Sequence, residues 1–310
     1  MLCQKHFLGS KNKGMNSVLL NHKELKAQAQ RLGFVACGLA PAEPVQDWYA
    51  EGFRKWLQLG FQADMQYMQN HVEMRLQPSL LHPGVKSIIS LALNYMPTHQ
   101  QPGISLYAQG KDYHDVMKER LRQLMTQTGL QGRCFVDTAP VLERYWAWRC
   151  GIGEFCQNGL ISVPGYGPTV FLGEIFAGQE ADAYDEPLSP APRHFTGWES
   201  LCPALTPQGL DARLCLSYQT IENRGELPHD LHLKRTFYGC DKCLRACPQF
   251  KESHPTSEQA FQPSAELLGM KEEDWRALTP EQYKSLFKGS AVKRAKYEGL
   301  IRNISKWKKQ

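Results

Sequence analysis

The chain has 310 residues, 42% hydrophobic and 22% charged, with a formal net charge of +5 and an isoelectric point near 8.6. That is the composition of a globular protein with room for a sizeable core, in one large domain or two. It excludes a membrane-spanning helix, because no apolar run approaches the ~20 residues a span needs, and so mild a basic excess tolerates a polyanionic partner without demanding one.

The opening MLCQKHFLGSKNKG has no signal-peptide core, and Met15 is a candidate initiator. The expectation is a cytoplasmic protein, in which ten cysteines serve as ligands, catalytic groups or small buried hydrophobes rather than as disulfides. Residues 21–32 carry a helical apolar pattern that stops at Gly33, and FVACGLA (34–40) reads as a strand. A helical stretch is expected over 51–71, then a turn at LLHPG and a buried strand in SIISLALNYMP (87–97). Tyr113 to Thr128 reads as an amphipathic helix, RCFVD (133–137) as a strand, and a helix should start near Pro140. GLISVPGYG (159–167) and TVFLGEIFA (169–177) read as a strand pair. Helices and strands mix without a strict βαβ repeat, which points to the α+β class. From Asp182 to Gly197 the texture turns acidic and proline-rich, the best candidate for a domain boundary. Helices should resume near Ser264, ahead of a strongly basic tail.

Five of the ten cysteines lie between Cys202 and Cys247. YGCDKCLRACPQF (238–250) holds three of them at C-x2-C-x3-C, followed by Pro248. A structural zinc site usually presents two short Cys knuckles, and only one is present here. In two-cluster ferredoxins the Cys-Pro cysteine ligates the cluster its neighbours do not hold. On that rule Cys202, which precedes Pro203, joins Cys240 and Cys243, and Cys215 completes the set. Four thiolates in this spacing favour one 4Fe–4S cluster over zinc. Cys247 would serve a second cluster with ligands at 192, 195 and 198, but those residues are Pro192, Phe195 and Trp198. Cys247 is therefore expected to be a buried free thiol.

The chain resembles the epoxyqueuosine reductases from about Leu25 to Ile304. The resemblance is carried by MQYM at Met65, LLHPGVKSII from Leu80, LNYMP at 93–97 and YAQGKDYH at 107–114. FVDTAPVLER (135–144), FLGEIF from Phe171, YGCDKCLRACP, GSAVKRA and LIRNI continue it. It implies a nitroreductase/flavin-reductase-like catalytic domain with a mixed α/β sheet (15–185), a ferredoxin-like iron–sulfur domain (186–255) and a short helical basic segment (256–310). The implied reaction is the last step of queuosine synthesis, removal of an epoxide oxygen from a modified base in tRNA, with cobalamin as cofactor. Electrons would come from an external flavodoxin- or ferredoxin-type donor. Asp137 is implied as proton donor, a role that asks for a carboxyl whose pKa is raised by burial. On its own, the sequence equally lets Asp137 or Thr138 be a helix N-cap. Tyr107, Asp112, Tyr113 and His114 are implied to line the cofactor, with Glu143, Arg144, Gln157 and Asn158 near cofactor or substrate. The aromatic run Tyr145 to Trp148 reads as helix packing.

Two departures bear on function. One cluster is erased, and the loop that reads G-x-G-W-x-G-K/R-N in the family is GIGEFCQN here (151–158), with Cys156 in place of the third glycine. The basic residues Lys293, Arg294, Lys296, Arg302, Lys306, Lys308 and Lys309 suit tRNA phosphates or a solvated helix face equally. A monomer is expected. Two other readings stay open: a cobalamin and iron–sulfur reductase acting on a different substrate, and a non-catalytic electron-transfer protein.

Overall fold

The computed structural model describes residues 19–191, 202–231, 233 and 236–307. Positions 192, 195 and 198, where the second cluster's ligands are missing, lie outside the described residues, as do Lys308 and Lys309.

The strand Ser87–Asn94 is buried at every position and forms the middle of a four-stranded sheet ordered Ala36–Pro41, Ser87–Asn94, Val170–Ala177, Gly132–Phe135. Every pairing in it is antiparallel, so the α+β expectation holds. Alternate side chains of a strand point to opposite faces. Ile89, Leu91 and Leu93 therefore pack under the helices His22–Arg31 and Tyr113–Thr128, while Ile88 and Ala92 meet the helix Glu143–Arg149. Tyr145, Trp146 and Trp148 are all buried on that second face, so the aromatic run is packing.

Local signals set the two covering helices. Asn21 accepts a hydrogen bond from the Glu24 N–H at 2.9 Å and caps the first. Asp112 caps the second, and Gly129 ends it in the left-handed region at φ +67°. Elsewhere the elements differ from expectation. The helix expected over 51–71 runs Asp47–Gln58 and breaks at Gly60 (φ +69°) and Ala63 (φ +50°). Its last turn and the residues after it pack against a distant segment: Trp56 Nε1 donates to Leu210 O at 2.7 Å and the Ala212 N–H to Phe61 O at 2.8 Å. The helix expected near Pro140 starts at Glu143. Of the expected strand pair, only Ile161–Ser162 is extended in the first half and it pairs with Glu154–Phe155, whereas Val170–Ala177 pairs within the main sheet.

A further core gathers Ile104, Ile221, Phe237, Tyr238, Trp275, Phe287, Leu300, Ile304 and Trp307. The strand Thr236–Tyr238 pairs parallel with Gly103–Ile104, and a Cβ on Gly103 (φ +94°) would lie 2.1 Å from the Phe237 ring. The divide expected at 255/256 runs through this core. The basic tail is partly spent inside it. Arg302 donates to the carbonyls of Asn223 and Gln219, and Lys306 Nζ to Pro228 O at 3.0 Å. Among the described residues no helix is long and apolar enough to cross a membrane.

Candidate active site

The chain leaves the strand Gly132–Phe135 through a three-residue turn. Thr138 donates its N–H to Val136 O at 2.5 Å, and Asp137 between them has φ +53°. A turn of this hand is rare and strained for an L-residue, and such strain collects at functional sites. The N-cap position of the following helix is Leu142, which makes no side-chain cap, so neither Asp137 nor Thr138 serves as its N-cap. Instead the Asp137 side chain, 56% exposed, meets the first turn of the helix Tyr113–Thr128. Tyr113 Oη donates to Asp137 Oδ2 at 2.7 Å, and His114 Nε2 lies 3.2 Å from the same oxygen. The other imidazole nitrogen, Nδ1, is 2.7 Å from Asp112 Oδ1. The Tyr113 ring is stacked between Phe171 (4.4 Å) and His114 (4.1 Å), which fixes where its hydroxyl points. The backbone N–H of Asp137 donates to the Glu143 carboxylate.

These contacts set the charges. Burial opposes a charge on His114, but its hydrogen bonds to Asp112 and Asp137 win and raise its pKa to about 9. Desolvation pushes Asp137 up, yet the hydrogen bonds from His114 and Tyr113 outweigh it, and the carboxyl is lowered below its usual range. That is the reverse of the raised pKa the sequence asked of Asp137. The raised carboxyl is Glu143, pushed to about 8 by burial and then by the charge of Asp137. Beneath it Glu174 is fully buried on the sheet, bonded to Ser90 Oγ at 3.1 Å, and burial followed by Glu143 drives its pKa well up.

The remaining expected residues divide. Arg144 donates to Gly159 O at 3.3 Å, and its charge acts on Asp137, Glu143 and Cys243 alike, so it stands between carboxylates and cysteines. Tyr107 meets Tyr113 edge-on and bonds Tyr238 Oη at 3.3 Å. Asn158 is buried and braces the loop: its Nδ2 donates to Cys243 O at 2.9 Å and its Oδ1 accepts from the Leu160 N–H at 3.1 Å. Gln157 is exposed on the turn beside it. Tyr67 is exposed and has no role expected from the sequence, and Arg294, expected only as one of the basic tail residues, has its guanidinium 5.9 Å from the Tyr67 ring. Arg294 is paired with Glu222 at 2.7 Å and feels the charge of Asp137. MQYM and GSAVKRA carried both residues as motifs, but nothing local says that they meet.

Cys202, Cys215, Cys240 and Cys243 are partly buried. Burial first, and then the charges of Cys215 and Cys202, raise Cys240 to about 11 and Cys243 to about 12. Cys240 and Cys243 therefore lie within electrostatic reach of Cys215 and Cys202. Among the described residues no three His, Cys, Asp or Glu side chains are grouped so as to hold a single metal ion. Cys247 is buried as expected, but it is not alone: its sulfur lies 3.1 Å from that of Cys156. That contact outweighs burial and lowers Cys247 to about 7, while the same contact and then burial raise Cys156.

A family model described as epoxyqueuosine reductase QueG, DUF1730, matches residues 75–138. The chain is 38% identical over 304 residues to an epoxyqueuosine reductase of Cellulophaga algicola, covering 94% of this chain and 99% of that one. A Leadbetterella byssophila epoxyqueuosine reductase is 36% identical, over 91% and 97% of the two chains. The fold is similar to that of an epoxyqueuosine reductase crystallised with an epoxyqueuosine-modified tRNA stem loop, with a TM-score of 0.81 and 26% identity, covering 91% of this chain and 79% of that one. It is also similar to a Bacillus subtilis epoxyqueuosine reductase whose catalytic aspartate loop is swung out of the active site, with a TM-score of 0.79, 25% identity and the same coverage.

Proposed function

The chain belongs to the epoxyqueuosine reductase family and is an oxidoreductase of queuosine biosynthesis, and we propose that it reduces epoxyqueuosine in tRNA with Asp137 at the centre of proton delivery. The epoxide takes up two electrons and two protons and leaves as alkene and water. The side chains fit the groups the family implies. Cys202, Cys215, Cys240 and Cys243 offer four thiolates to one 4Fe–4S core. Tyr113, His114, Asp137 and Arg144 set hydroxyl, imidazole, carboxylate and guanidinium groups where the amide side chains of a corrin could bond. Cobalamin, when bound, would supply the low-valent metal for the reduction, and a cluster held by the four cysteines would supply electrons drawn from a flavodoxin- or ferredoxin-type donor.

The chain's own residues manage the protons. Asp137 is ionised at neutral pH and acts as a relay: His114 holds a proton below about pH 9 and hands it through Asp137 to the oxygen as negative charge develops there. Tyr113 steadies the same carboxylate oxygen. Glu143, protonated up to about pH 8, keeps a second proton beside the turn. Exposed Lys293 and Lys296 flank Arg294 and suit tRNA phosphates near the mouth of the site.

One observation supports this reading above the rest: the strained turn that delivers Asp137 to Tyr113 and His114. Asp137→Asn keeps the shape and removes the relay. Corrin absorbance of the loaded protein should be retained while epoxyqueuosine accumulates in tRNA digests. Normal queuosine levels in a strain carrying only this variant would retire the role.

A further inference from the structure

The second cluster's ligand positions are lost from the sequence, yet Cys247, which would have closed it, persists. Its neighbour is Cys156, which stands where the family pattern has glycine. Both side chains are enclosed, at 2% and 3% exposure, and their sulfurs are 3.1 Å apart. That is about 1 Å beyond a disulfide bond of ~2.05 Å. The loop is held in this position. The Cys156 N–H donates to Leu160 O at 2.7 Å, the Gly159 N–H to Cys156 O at 2.9 Å, and Asn158 ties the loop to Cys243. Cys156 lies outside the left-handed region, so the loop accepts a side chain there without strain. Leu205 completes the enclosure, and two of the cluster thiols, Cys202 and Cys243, pack against it.

We propose that Cys156 and Cys247 form a redox-active dithiol/disulfide couple that replaces the missing cluster as an electron store. Oxidation joins the two sulfurs and releases two electrons and two protons. The established reaction consumes the same: dithiol plus epoxide gives disulfide, alkene and water. The external low-potential donor then returns two electrons, one at a time through the adjacent cluster, and two protons from solvent restore the thiols. The couple itself rests on the sulfur geometry alone; its use as a store rests on the reductase reading.

Two measurements on the anaerobically purified holoprotein separate these. In the first, protein equilibrated in dithiothreitol mixtures of graded oxidation is alkylated and its peptides are weighed. The expected result is one reversible two-electron transition that links the peptides of Cys156 and Cys247, absent in Cys156→Ser and Cys247→Ser, with iron content unchanged in both variants. Alkylation of both cysteines across the whole range, or linkage of either to another cysteine, overturns the couple. In the second, pre-reduced enzyme is freed of donor and mixed with epoxyqueuosine-containing tRNA. Wild type should complete one more turnover per enzyme than Cys156→Ser. Equal yields overturn the store while leaving the couple standing, and no product from either points to failure of the reductase reading instead.

Discussion

At the residue scale the site rests on His114, a cation held between two carboxylates. Its pKa is raised, from an ordinary 6.5 to about 9, so its stabilising effect is complete below pH 6.5 and lost as pH rises through 9. Asp112 and Asp137 are lowered, so their share is present above the ordinary 3.8 and is lost as pH falls below it. Stability measured by denaturant should therefore fall between pH 6.5 and 9 in the wild type, and this slope should flatten in His114→Gln; an unchanged slope would mean the two carboxylates do not hold the imidazole's proton. Turnover should decline above about pH 8 as Glu143 and then His114 deprotonate. Loss of a positioned acid costs roughly 10²–10⁴ in rate, the range expected for Asp137→Asn. Asp137, Tyr113 and His114 were legible because two short motifs carry them. The direction of the Asp137 shift was not, because it depends on which side chains the fold places against the carboxylate. Tyr67 and Arg294 were equally hidden, since they meet only once the C-terminal segment has packed.

At the element scale, legibility followed local chemistry. The helices His22–Arg31 and Tyr113–Thr128 have side-chain caps and glycines just past their ends, and both could be read directly. The stretch 51–71 could not. Its apolar pattern continues past Gln58, but Trp56 and Phe61 are drawn to Leu210 and Ala212, and that distant contact breaks the helix. The strand Ala36–Pro41 offers a sharper test of packing. A Cβ on Gly38 would sit 1.9 Å from the Cys150 carbonyl oxygen and 2.7 Å from Ile152 Cγ2, where the backbone leaves the helix Glu143–Arg149. Overpacking of this kind costs about 1–3 kcal/mol and sometimes more. Gly38→Ala should lower Tm by several degrees, and since the shifted backbone leads into the 151–158 loop, it should also disturb that loop. A wild-type Tm would show that the close approach can relax freely.

At the scale of the whole molecule, the proposed cluster would tie together segments far apart in the chain. Cys240→Ala should remove most of the iron, whereas Cys247→Ala should leave it nearly intact, because only the first belongs to the proposed four-thiol set. Equal losses in an iron assay would mean that the ligands are wrongly assigned. The cysteine spacing alone carries that expectation, while the Cys156 contact was not legible, since nothing local links a loop residue to a cysteine ninety-one positions later. The core that carries Phe237 and Tyr238 up to Cys240 is closed by Trp307, whose ring meets Phe237 edge-on at 5.1 Å, and by Asn303, which bonds the carbonyls of Thr220 and Phe237. Cys240 and Cys243 are therefore framed by side chains that lie well beyond them in the chain. The segment that carries these cysteines cannot settle until the helix Lys296–Lys306 has docked, so loosening that helix should unfix Cys240 and Cys243 together.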